Sequence, residues 1–147
     1  MKRLLILGLV FMNATLTFGA NLYYCPNTVT CTSDNDLSSC QPKGGSSIFN
    51  TVLPAGPIPA ATYTLITAKM SYSEDSPSSA GYNCIYAYQQ ASNITRQLLL
   101  MPTASKLSLY PDYSLPNSKW IINGGEASCN SNNPDECVFT DQYMLMK

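Results

Sequence analysis

The stretch Thr62–Tyr72, TYTLITAKMSY, decides the reading of the chain. Its side chains alternate: Thr64, Ile66, Ala68, Met70 and Tyr72 fall on one face, and Tyr63, Leu65, Thr67 and Lys69 on the other. A period of two with many β-branched and aromatic residues is the signature of a strand, since successive side chains of an extended backbone point to opposite sides. Tyr82–Tyr88, YNCIYAY, repeats the pattern with Tyr82, Cys84, Tyr86 and Tyr88 on one face, and the intervening SEDSPSSAG supplies turn residues. The two segments are therefore expected as antiparallel neighbours joined by a hairpin-like connection.

Further strands are expected at Leu22–Cys25, Ile94–Met101, Lys106–Tyr110, Lys119–Asn123 and Glu136–Tyr143. Pro54, Pro57 and Pro59 mark an extended connection, and Pro102, Pro111 and Pro116 punctuate the later strands. Ala91–Met101 is the one segment that also fits a helix, and strand is preferred there. No period of 20 to 50 residues suggests a repeat architecture. Short strands with turn chemistry between them give an all-β fold, a small antiparallel β-sandwich or a partly closed barrel.

The N-terminus, MKRLLILGLVFMNATLTFGA, has Lys2 and Arg3 ahead of the apolar run Leu4–Met12 and small residues near its end, the layout of a secretory signal peptide. The run is far shorter than the roughly 20 apolar residues a membrane-spanning helix needs, so no membrane anchor is expected. Residues 1–19 are read as the leader and residues 20–147 as one disulfide-stabilised β domain. Lipid attachment at Cys25 is disfavoured by bulky Tyr24 before it. Removing Lys2 and Arg3 from the eight basic residues leaves six against nine acidic ones, a net charge near −3. The remaining basic residues are scattered singly, so the chain lacks the clustered Lys and Arg that nucleic acid requires.

Six cysteines, Cys25, Cys31, Cys40, Cys84, Cys129 and Cys137, follow the leader. An even count in an exported chain favours three disulfides. The chain has no CxxC pair and no histidine, so structural zinc and a Cys-His nucleophile both lack their usual residues, and no metal or cofactor is expected. Fifteen connectivities are possible. Cys129 and Cys137 flank the turn-rich NSNNPDE, and Cys31 and Cys40 flank TSDNDLSS, which makes local closure of each plausible and would leave Cys25 and Cys84 as the long-range pair.

An early Cys25-Pro26, a central Cys84-x-Tyr86 strand, a late Trp120 and a closing Cys129 with Cys137-x-Phe139 resemble a family of small exported proteins of unknown function from Gram-negative bacteria, including species that live inside host cells. The resemblance implies an exported four-cysteine β domain without an established activity. Cys31 and Cys40 are additional to that pattern and arrive together, as bonded partners would. With the resemblance, the expected pairing becomes Cys25–Cys84, Cys31–Cys40 and Cys129–Cys137.

Without histidine, Ser-His-Asp chemistry is excluded in its ordinary form. Asp75, Asp112, Glu126 and Asp141 are available for carboxylate-dependent glycan hydrolysis, the alternative function. Asp34, Asp36 and Ser38 begin like a calcium loop, but Ser39 and Gly45 stand where that loop needs glycine and an acid, so a polar loop is the better reading. Asn93-Ile94-Thr95 fits a glycosylation sequon, which would carry little meaning if the source is bacterial. Ten tyrosines and one tryptophan offer flat amphipathic faces, and Tyr110, Tyr113 and Trp120 are the candidate binding residues. The expected function is a secreted or periplasmic, non-enzymatic binding protein for a host or envelope protein or a glycan. Mass spectrometry of the exported protein is expected to find an N-terminus at Ala20 or Asn21 and no diacylglyceryl group on Cys25.

Overall fold

The computed structural model describes residues 19–73, 76–90, 94–103 and 108–141. The leader up to residue 18, Asp75, Asn93 and the end of the expected Glu136–Tyr143 strand lie outside the described residues.

Eleven strands and two single 3-10 turns make up the described chain. The strands are β1 (Leu22–Tyr23), β2 (Thr28–Cys31), β3 (Cys40–Lys43), β4 (Phe49–Pro54), β5 (Ala61–Ser73), β6 (Ser76–Gln89), β7 (Thr95–Pro102), β8 (Tyr110–Pro111), β9 (Trp120–Asn123), β10 (Glu126–Cys129) and β11 (Phe139–Thr140). The main sheet runs β3-β2-β5-β6-β7-β4, and its two end strands, β3 and β4, come into contact. The result is a nearly closed antiparallel barrel. A smaller sheet, β1-β11-β8, joins the two ends of the described chain. Among the described residues no helix is long and apolar enough to cross a membrane.

The hairpin of β5 and β6 is antiparallel as expected, and the ladder runs from Thr64↔Ala87 to Ser73↔Ser76. On β6, Tyr82, Cys84 and Tyr86 all face the core, and Tyr88 is half-buried against it. On β5 the alternation does not persist. Tyr63 and Leu65 are buried, Ile66 is exposed, and beyond it Ala68 and Met70 are the buried residues. The register shifts between Leu65 and Thr67, where an extra residue in one strand reverses which side chains face inward. That bulge also divides the strand between two neighbours on one edge. Residues Ala61–Thr64 pair with β2, and Ala68–Ser71 pair with β10.

β7 is a strand at Thr95–Pro102, not a helix, because Leu98 and Leu100 alternate inward and pair with Tyr86 and Cys84. The strands β2, β3, β4 and β10 were not anticipated from local pattern. β3 and β4 contain Pro42 and Pro54, which the sheet accommodates because each of these strands has a ladder on only one side. Within the described part of the expected Glu136–Tyr143 strand, β11 alone is extended pairing, and its start is replaced by the 3-10 turn Pro134–Glu136, capped by the Asn133 side chain.

Three disulfides close the fold in the pairing expected above. Cys25–Cys84 spans 59 residues with Cα atoms 5.9 Å apart, while Cys31–Cys40 and Cys129–Cys137 span 9 and 8. Three such bonds belong to an oxidising compartment, extracellular or periplasmic. Cys25 and Cys84 are fully buried. Beside them the Tyr86 hydroxyl donates to the Pro26 carbonyl at 2.8 Å, and burial pushes that hydroxyl's pKa far upward. In the chain-entropy account a loop near 60 residues restrains the unfolded state by about 4 kcal/mol, and a loop near 10 by about 2.5 to 3 kcal/mol. Urea denaturation is therefore expected to show Cys84→Ser losing more stability than Cys40→Ser, by about 1 kcal/mol or more once the buried partner thiol is included.

Candidate functional site

The aromatic residues singled out in the sequence are placed inward. Trp120 is 7% exposed, its indole N–H donates to the Val138 carbonyl at 2.8 Å, and its ring meets Phe139 with centroids 4.9 Å apart. Tyr110 and Tyr113 are half-buried and pack against the core cluster. Tyr110-Pro111 is itself strand β8, paired with β11. Asp112 is buried and accepts from the Ser114 backbone N–H at 2.8 Å and the Ser114 hydroxyl at 2.6 Å, so it organises a turn. These residues come together around the C-terminal segment, where they serve packing and do not form an exposed aromatic platform.

Asp75 lies outside the described residues, and the other candidate carboxylates each have a partner. Glu126 pairs with Lys69 at 2.8 Å on the outer face of the sheet. Asp141 accepts from the Asn21 side-chain amide and backbone N–H, and these bonds, the side-chain one foremost, hold its carboxyl below the ordinary range. Glu136 is lowered by Lys119 first and by Ser131 second. Asp36 is lowered chiefly by the Ser38 hydroxyl, and its carboxylate caps the Leu37–Ser39 turn by accepting from the Ser38 N–H. Asp34 accepts from the Ala60 N–H at 2.6 Å. Among the described residues, Asp135 alone has a carboxylate with neither a hydrogen bond nor an ion pair.

Asp135 lies in a cleft of about 270 Å³ lined by Tyr24, Asn27, Gly45, Asn133, Pro134 and Asp135. One wall is the segment around Cys25. The Tyr24 N–H donates to the Ser46 hydroxyl and the Tyr24 carbonyl accepts from the Ser46 N–H, both at 2.9 Å, while the Asn27 N–H donates to the Lys43 carbonyl at 3.0 Å. Gly45 fits only as glycine: its φ is +67°, and a Cβ there would stand 2.5 Å from the Pro26 nitrogen. The other wall is the 3-10 turn Pro134–Glu136, closed beneath by Cys129–Cys137 and capped by the Asn133 side-chain oxygen on the Asp135 N–H at 3.1 Å. The Tyr24 hydroxyl, the Asn27 side-chain amide and the Asn133 side-chain NH2 make no hydrogen bond to the described residues. A second cleft of about 320 Å³, also lined by Gly45, holds no ionisable side chain.

Sequence reading missed this cleft because its walls are far apart in the chain, Tyr24, Asn27 and Gly45 on one side and Asn133 to Asp135 on the other. Its signals were present separately, in the Asn133-Pro134 turn and in the tyrosine beside Cys25. Pairing of β1 with β11, Leu22↔Thr140 and Tyr23↔Phe139, is what brings them near. The chain matches no protein-family model, no curated protein and no solved structure.

Burial of Trp120 against Phe139 gives a measurable expectation. Trp120→Ala is expected to cost about 3 to 5 kcal/mol of stability in chemical denaturation, as large-to-small changes of buried aromatic residues do.

Proposed function

We propose that this chain is an exported, non-enzymatic binding protein, released from its leader after Gly19, that recognises a protein or a glycan. The observation that carries this reading is the distribution of its acids. Glycan hydrolysis by paired carboxylates needs two of them about 5 to 10 Å apart with the substrate between. Asp112 is tied to Ser114, Glu126 to Lys69 and Asp141 to Asn21, so these candidates already serve the fold. Asp135 stands without a second free carboxylate lining its cleft. One carboxylate beside neutral polar groups suits holding a ligand better than protonating a leaving group.

The oxidised scaffold supports the same reading. Both walls of the cleft are positioned by backbone hydrogen bonds and lie beside disulfides, which lowers the ordering cost of capturing a ligand. The export leader, three disulfides and the resemblance to small exported proteins are consistent with a ligand met in the envelope or outside the cell.

A glycan array and a pull-down from host-cell lysate, each run with the oxidised protein and with the reduced, alkylated protein, test the proposal. Binding by the oxidised form that falls at least about tenfold on reduction is the expected result. Release of reducing sugar from a polysaccharide panel by the oxidised protein would favour the hydrolase instead.

A further inference from the structure

The geometry points to the cleft between Tyr24 and Asp135 as a binding site for a single uncharged sugar ring. This assignment deepens the binding-protein reading above and rests on it. Its volume, about 270 Å³, falls just under the roughly 300 to 1,000 Å³ usual for drug-sized ligands, so it suits one ring and not a long chain.

The lining matches the chemistry of a pyranose. Neighbouring sugar hydroxyls each donate and accept, so they are best met by a group that only accepts set beside groups that do both. Asp135 supplies the acceptor, and the side-chain amide of Asn27 donates as well as accepts. The Asn133 oxygen is already used by the Asp135 N–H, which leaves its NH2 as a donor. Tyr24 adds an aromatic face for the apolar C–H face of the ring, where dispersion and removal of apolar surface from water both favour contact. Gly45 lets the backbone of that wall pack directly on Cys25 and Pro26, which fixes the wall's position.

Charge sets the selectivity. Asp135 is unneutralised, no Lys or Arg lines the cleft, and the exported chain carries a net charge near −3. An anionic sugar would bring its carboxylate towards an unpaired one. Neutral glycosides are therefore preferred over uronic acids.

The test is a titration of the oxidised, 15N-labelled protein with the methyl glycosides of glucose, galactose, mannose, fucose and N-acetylglucosamine, and with methyl glucuronide. At least one neutral glycoside is expected to shift the amides of Asn27, Gly45, Asn133 and Asp135, with methyl glucuronide weaker by about tenfold or more. Asp135→Asn and Tyr24→Ala are each expected to weaken the neutral glycoside by about tenfold while preserving the dispersion of the other amide signals. Asp135→Asn should also narrow the gap between neutral and anionic sugars, which a merely structural role for Asp135 would not do. Shifts confined to other residues, or full affinity in both variants, would overturn this site while leaving a glycan-binding protein. No shift with any glycoside, together with capture of a protein partner, would overturn the site and leave the binding-protein reading. No ligand of either kind would overturn both.

Discussion

The ring of Phe139 is the contact on which the C-terminal third of the structure depends. Fully buried on the two-residue strand β11, it meets Phe49 of β4, Tyr82 of β6 and Trp120 of β9, with centroids 5.7, 6.2 and 4.9 Å away. A two-residue strand has little ladder of its own, so burial of this side chain does most of the anchoring. Around it, the Val138 carbonyl accepts from both the Trp120 indole and the Asp112 N–H, and the Tyr82 hydroxyl accepts from the Leu109 N–H. The buried polar groups brought in with the aromatic rings are thereby satisfied.

The same anchor sets the candidate site. Because Phe139 also pairs with Tyr23, the segment leading to Cys25 is drawn alongside the segment leaving Cys137. Gly45 packs its backbone directly on Cys25 and Pro26, and Cys25 is tied to the middle of β6. The cleft is thus a junction between elements at opposite ends of the chain, each held independently.

Much of the architecture was written in local pattern. The alternation of Tyr82, Cys84 and Tyr86 foretold the inward face of β6, whereas local pattern left the segment of Leu98 and Leu100 open between helix and strand, with strand preferred. Even the cysteine partners followed from spacing and resemblance. Strands β2, β3 and β10 escaped because they are four residues long and carry Thr, Ser, Gln and Pro, whose pairing depends on neighbours rather than on their own periodicity.

The all-β class and an even set of six cysteines free to form three disulfides were legible in the chain itself, because composition and side-chain period act locally. Tertiary structure alone decided the rest. It decided that the β5 alternation reverses at the bulge after Leu65, since an inserted residue is defined only against the strand beside it. It decided that Trp120 is core, since its burial depends on Val138 and Phe139 closing over it, and that Tyr24 shares a cleft with Asp135, since proximity across more than 100 residues arises only when β1 meets β11.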